Sequence, residues 1–221
     1  VEAGSEGYCP MNGYERIRTA LRREEEQDYV PIWELIINEP VISKLYGNVS
    51  YLDFADKIDL DGVTAPEDMR IIRTQDKPKL SVIDDFGVKY TFSGVVFQPS
   101  EGPIKCPEHI DSIELPDPDD QRKYYSLKAT VQKFKGRKAI VFLSHDGFEH
   151  SWYLSGGIKN YLRLYTVNPR AAKNLVERVW SYKEKVMRNA VELGADILLT
   201  GDDYAFRDRV MMSPKHFKEF I

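Results

Sequence analysis

The chain has 221 residues, 42% hydrophobic and 12% aromatic, enough for one globular domain with a sizeable core. Thirty-five acids against thirty-one Lys plus Arg give a net charge of -4 with no basic patch, which argues against a nucleic-acid partner or an anionic membrane surface. The longest apolar runs, such as Ala139–Leu143 and Ile197–Leu199, are too short to span a bilayer; with a polar start and two isolated cysteines, Cys9 and Cys106, read as free thiols, a cytoplasmic location is expected.

In chain order, residues 1–10 carry no periodicity and are expected to form a disordered or tag-like end, leaving 11–221 as the folded domain. Asn12 with Glu15 three positions on is a capping-box pattern, and Ile17, Ala20 and Leu21 line one face of a helix running to about Arg23. The acidic stretch 24–28 ends it. Residues 30–37 are a short apolar run with a proline near its start, read as a strand. Ser50 and Asp53 repeat the capping pattern ahead of Leu52, Phe54, Ala55 and Ile58 at helical spacing, and 62–65 reads as a buried strand stopped by Pro66.

From Leu80 to Phe97 the period changes to two, with Val82, Tyr90, Phe92, Val95 and Phe97 among the apolar positions and turn residues at 84–87 and 93–94. This predicts antiparallel strands inserted between βα units. Residues 115–120 form a stiff acidic linker to a helix near 126–134. Residues 138–144 then read as a buried strand, and Asn168 with Pro169 opens a long helix with a stripe of Leu175, Val176, Val179, Val186, Met187, Ala190 and Val191. Gly194 ends that helix, 195–200 is the next strand, and Gly201-Asp202-Asp203 follows directly. Buried strands alternating with helices favour a parallel sheet, and the lack of Gly-x-Gly-x-x-Gly after any strand leaves a barrel as the better architecture.

In such a barrel the loops after the strands build the active site, which gathers residues 34–39, 66–69, 145–153 and 201–208 at one mouth. Any single acid there could equally cap the next helix. His145 and His150, five apart around Asp146 and Glu149, have no third ligand at a recognisable spacing, so hydrogen bonding is expected of them rather than zinc binding. Gly156-Gly157 suits a turn or a close backbone approach.

Taken together and in order, several motifs resemble the uroporphyrinogen-decarboxylase superfamily over nearly all of residues 11–221. They are Glu15-Arg-Ile-Arg-Thr-Ala-Leu21 leading to Val30-Pro-Ile-Trp33, Leu60-Asp-Gly-Val63, Trp152-Tyr-Leu-Ser-Gly-Gly157, Glu192-Leu-Gly-Ala-Asp-Ile197, and Gly201-Asp-Asp-Tyr204 with Ser213-Pro-Lys-His-Phe-Lys-Glu-Phe220. The resemblance implies an α/β fold: a (β/α)8 TIM barrel of the type shared with methionine synthase. This chain would supply its N-terminal two-thirds, incomplete, with the antiparallel segment at 80–97 inserted. One branch of the superfamily decarboxylates uroporphyrinogen III without a cofactor. Others move methyl groups between a substrate and a corrinoid (cobalamin) protein, or from a methyl-corrinoid to a thiol, with zinc.

The departures separate these branches. Where the decarboxylases carry an Arg-Gln-Ala-Gly-Arg motif for the tetrapyrrole's carboxylates, this chain has Leu35-Ile-Ile-Asn-Glu-Pro40, and an octacarboxylate would find no cations. The resemblance therefore implies a corrinoid-linked methyltransferase. It puts Asp68 and Tyr153 on the family's active-site aspartate and tyrosine, with Glu67 replacing Asp68 if the loop slips by one. Asp202 and Asp203 would orient substrate or exchange a proton, and Trp33, Asn38, His145, His150 and Tyr204 would bind it. The family's zinc ligands, a His-x-Cys motif and a further cysteine, have no counterpart here. Zinc is expected to be held outside this chain's residues, and no metal ligand is assigned within it. The partners implied are a small methyl donor or acceptor and a corrinoid protein, with a homo-oligomer left open. Two rivals are a cofactor-free decarboxylase on a smaller acid, using Arg70, Arg73 or Arg207 as its cation, and a non-catalytic, truncated binding protein.

Overall fold

Helix α1, Gly13–Arg22, begins where the sequence predicts: the Asn12 side chain accepts from the Glu15 N–H, and the Glu15 carboxylate accepts from the Asn12 N–H at 2.8 Å. It closes with Arg23 in the left-handed region at φ 58°, the Arg23 and Glu24 N–H groups bonding to Ala20 O and Thr19 O. The structure, a computed structural model, describes residues 10–24, 29–76, 78–94 and 96–221. The expectations for 1–9, Cys9, 25–28 and Val95 lie outside the described residues.

Contrary to the strand expected from its composition, the run 30–37 forms none. Pro31 has no N–H to offer a ladder, and the Ile32 N–H bonds to the Asp61 carboxylate at 2.7 Å instead. A helix that the apolar pattern does not announce follows, α2 (Glu39–Tyr46), and then α3 (Tyr51–Lys57), where Ser50 caps the Asp53 N–H at 3.1 Å. Strand β1 is Gly62–Pro66, buried as far as Ala65.

The antiparallel segment is wider than its period-two signal. Strands β2 (Ile71–Gln75), β3 (Ser81–Asp84), β4 (Lys89–Phe92) and β5 (Phe97–Glu101) form a four-stranded sheet in sequence order. All five β2 residues are exposed, so no apolar alternation marks that strand. Asp84 makes the β3–β4 turn, its Oδ1 accepting the Phe86 and Val88 N–H groups at 3.0 and 2.8 Å while the Tyr90 hydroxyl donates to Oδ2 at 3.0 Å. Burial outweighs these donors and pushes its pKa up to about 6, the Asp85 charge adding to the rise. Because the folded pKa is the higher one, the protonated form's stabilisation is complete below the ordinary aspartate value and is lost as pH rises through about 6. Asp84→Asn should remove that slope, so that wild type loses on the order of 2 kcal/mol relative to the variant between pH 4.5 and 7.5. Urea unfolding across that range measures it, and a constant difference would contradict the assignment.

Helix α4 (His109–Ser112) and a 3-10 turn at Gln121–Tyr124 lead to α5 (Tyr125–Phe134) and strand β6 (Ala139–Ser144). Helices α6 (Gly147–Leu154), α7 (Ile158–Val167) and α8 (Pro169–Glu192) precede strand β7 (Ile197–Thr200), and α9 (Pro214–Phe220) ends the chain. Asn168 caps α8 through the Ala171 N–H at 3.1 Å, and Leu175, Val179, Val186 and Ala190 are fully buried along its predicted stripe. Gly194 takes φ +110° where the chain leaves that helix.

Strands β1, β6 and β7 form the second sheet in the order β1-β6-β7. Its hydrogen bonds advance together: Ala139 N–H to Asp61 O and Glu67 N–H to Leu143 O on one side, Asp196 N–H to Ile140 O and Gly201 N–H to Ser144 O on the other. Such pairing is parallel, as the βα rhythm predicts. The described residues make an open three-stranded sheet and do not close a barrel.

By contacts the chain divides into two units. The first holds the described residues to Pro66 with Ser126–Phe142 and Ala190–Leu198; its core includes Ala55, Leu60, Val63 and Phe134, and Arg16 pairs with the buried Asp61 at 2.8 Å. The second holds Glu67–Tyr125, Leu143–Asn189 and Leu199–Ile221, with Phe86, Val88, Phe148, Leu154, Tyr161 and Leu175 in its core. Among the described residues no helix is long and apolar enough to cross a membrane.

Candidate functional site

The residues that follow the parallel strands are polar: Glu67 after β1, His145 and Asp146 after β6, Asp202 after β7. The segment expected as a loop at 145–153 is mostly helix, because Asp146 caps α6, its Oδ1 accepting the Phe148 N–H at 2.7 Å. Asp202 brings a second carboxyl to the same helix start. Its Oδ2 accepts the Asp146 N–H at 2.6 Å and its Oδ1 the Glu149 N–H at 2.7 Å, the exposed donors of a helix N-terminus. The Asp202 side chain is wholly buried, and that burial, with the neighbouring Asp146 carboxyl, pushes its pKa up to about 8 against the pull of the two N–H donors.

The helix also sets the pairing that the sequence left open. His145 and Glu149 stand four positions apart, with His145 Nδ1 3.7 Å from Glu149 Oε2 and 4.0 Å from Asp202 Oδ2. That nitrogen is buried and has no hydrogen-bond partner among the described residues. Burial, then the Lys183 charge, lowers the His145 pKa to about 4, so the ring is neutral at pH 7. Burial raises Glu149, although the Tyr153 hydroxyl and the Asp203 N–H both donate to it. The Tyr204 hydroxyl donates to Asp146 in the same way. At Gly201 a Cβ would press on Leu143 Cδ1 at 3.2 Å and meet the His145 ring in ordinary contact, 3.6 Å from Cε1.

Behind this cluster His150 lies on the buried face of α6, 4% exposed, its ring 4.0 Å from Phe86 and neither nitrogen with a partner among the described residues. Burial holds it well below the ordinary histidine pKa. Glu67 accepts from Ser144 Oγ and from Lys183 Nζ, each at 2.7 Å. Burial acts to raise Glu67, but the Lys183 charge and hydrogen bond, with Ser144, outweigh it and hold the carboxyl below its usual range. A second buried pair, Lys123–Asp85 at 2.9 Å, belongs to the same unit.

Of the residues singled out by sequence, the structure brings together His145, Tyr153, Asp202 and Tyr204, with His150 adjoining. Asp68 is half-buried and its N–H bonds to Lys123 O at 2.9 Å; the buried carboxylate of that loop is Glu67, the alternative residue. Asp203 is exposed and gives the cluster its backbone N–H. Trp33 and Asn38 belong to the first unit, where the Trp33 indole donates to Thr64 Oγ1 at 3.0 Å and Asn38 precedes α2 without a side-chain cap. Arg70 faces Asp120 at 3.8 Å, and Arg73 and Arg207 are exposed. Sequence reading missed Glu149 and Lys183. The second had a signal, since Lys183 interrupts the apolar stripe between Val179 and Val186.

No family model and no curated protein matches the chain. Thirteen chains of solved structures do match. One is a methyltransferase from Methanosarcina mazei, similar over 96% of this chain and 64% of that one, with 15% identity and a TM-score of 0.63. The chain thus spans a little under two thirds of that protein's length, and at this identity the likeness is one of fold: a mixed α/β architecture with a parallel sheet and a separate antiparallel one.

Proposed function

We propose that the protein is an enzyme that transfers a methyl group between a small methylated substrate and a corrinoid protein, at the cluster of His145, Glu149, Tyr153 and Asp202. The observation that carries the reading is the gathering of these groups in the segments that follow adjacent parallel strands, where α/β enzymes place their substrates. The fold's likeness to a methyltransferase supports the chemistry, and the ordered sequence motifs support a (β/α)8 barrel of the uroporphyrinogen-decarboxylase superfamily.

The corrinoid, carried by its partner, supplies the centre that accepts or donates the methyl group. When a methyl group leaves oxygen, nitrogen or sulfur, the bonding electron pair stays on one side, and the heteroatom needs a proton or a cation beside it. Asp202, fixed by two backbone N–H groups, and Glu149, fixed by Tyr153, are pre-organised for that task. The thiolate zinc site implied by the resemblance, a His-x-Cys motif with a further cysteine, has no counterpart among these groups, which offer imidazole and carboxylate, and no step is assigned to it. Full-length protein mixed with cob(I)alamin and methoxy, methylamine or thioether donors should consume the cob(I)alamin absorbance with one of them. Inertness toward every donor would count against the reading.

A further inference from the structure

We infer that His145, Glu149 and Asp202 bind a divalent transition-metal ion through His145 Nδ1 and one oxygen of each carboxylate. The donor atoms lie within 4.8 Å of one another, with Nδ1 at 3.7 and 4.0 Å from the two carboxylate oxygens. Around an ion with ligand bonds of about 2.1 Å, adjacent donors stand about 3.0–3.4 Å apart, so the two histidine distances tighten by an ångström at most, and the widest donor pair by up to about 1.8 Å, to complete the site.

Four further observations point to a ligand rather than a solvated group of acids. The His145 Nδ1 is buried and without a partner among the described residues while two carboxylate oxygens flank it, and buried nitrogens of this kind normally have partners. The supporting bonds of a metal site are already made: backbone N–H groups hold Asp202, and Tyr153 holds Glu149 Oε1, leaving Oε2 on the histidine side. A second imidazole, His150, 4% exposed and unpartnered among the described residues, lies alongside, both rings within 6 Å of Tyr153 at 5.7 and 5.8 Å. Among the described residues no lysine or arginine pairs with the carboxyls of Asp146, Glu149, Asp202 or Asp203, and Lys183 is bonded to Glu67.

One imidazole with two carboxylates suits Mn²⁺, Fe²⁺, Co²⁺ or Zn²⁺ better than Mg²⁺ or Ca²⁺, which favour oxygen-only sets. Three protein ligands leave positions for a substrate heteroatom, a role that rests on the methyl-transfer proposal, whereas binding does not. The test is a Co²⁺ titration of metal-free, full-length protein, read by calorimetry and visible absorption with no methyl donor or corrinoid present. Wild type should take up one equivalent that His145→Ala and Glu149→Gln each weaken about tenfold or more, with circular dichroism unchanged. Glu177→Gln, at the groove beside the start of α8, should bind as wild type. No uptake by wild type, or uptake unaltered in both His145→Ala and Glu149→Gln, would overturn the assignment. Metal binding without methyl transfer would leave it standing and remove the function proposed above.

Discussion

Lys183→Met is expected to destabilise the protein by about 3–5 kcal/mol, the loss that follows when one partner of a buried ion pair is removed and the other is left charged. The Lys183 side chain is 3% exposed and its partner Glu67 11%, and the 2.7 Å bond between them ties α8 to the loop after β1. Ser144 donates to the same Glu67 oxygen, so the stranded carboxylate would keep one neutral donor and lose its charge partner. Its pKa, now held low, should rise, and the stability of the variant should recover as pH falls and Glu67 takes a proton. Glu67→Leu with Lys183→Met should restore most of the loss, because neither charge then remains buried. Urea unfolding of the two single variants and the double variant measures the cycle. Additive losses would mean that the pair does not act as a unit.

Gly102→Ala should be nearly as damaging for a steric reason. A Cβ at this position would overlap the carbonyl oxygens of Tyr153 and Leu154 and the Gly156 nitrogen, all backbone atoms at the end of α6. The Ile104 N–H bonds to Leu154 O at 3.0 Å, so the segment after β5 lies against that helix end and has no room to retreat. Overpacking of this kind costs about 3 kcal/mol. It should also move Tyr153 away from Glu149 and lower turnover together with stability. Gly136→Ala is the control, since a Cβ there meets nothing within 4 Å and only its φ of +79° opposes the change, by about 1 kcal/mol. Equal stability of the two variants would refute the close-packing account.

Local rules made much of the fold legible. The Asn12–Glu15 box, the Ser50 cap, the Asn168-Pro169 helix start and the three parallel strands are each fixed by contacts within a few residues, or by period and apolar content. What escaped is set by distant contacts. Residues 30–37 have the composition of a strand, yet Pro31 withholds a donor and the Asp61 side chain takes the Ile32 N–H. Strand β2 is exposed throughout and therefore carries no alternation. At the site, carboxylates and histidines in the strand-following segments were readable, and so were Tyr153 and Tyr204. Their pairing was not, because it depends on α6 starting at Gly147, which sets His145 against Glu149 and turns backbone N–H groups toward Asp202. The choice between Glu67 and Asp68 likewise waits on Lys183, 116 positions away in the chain.

The most direct test of the central claim is methyl transfer to cob(I)alamin by wild type and by Asp202→Asn, measured with the same donors and with circular dichroism confirming the fold of both. Asp202 is the carboxyl whose two oxygens hold the Asp146 and Glu149 N–H groups, so its hydrogen bonds organise the cluster. The account predicts transfer by wild type and a loss of about 100-fold or more in the variant. Transfer by Asp202→Asn at the wild-type rate would contradict it, and so would a folded wild-type protein that demethylates nothing.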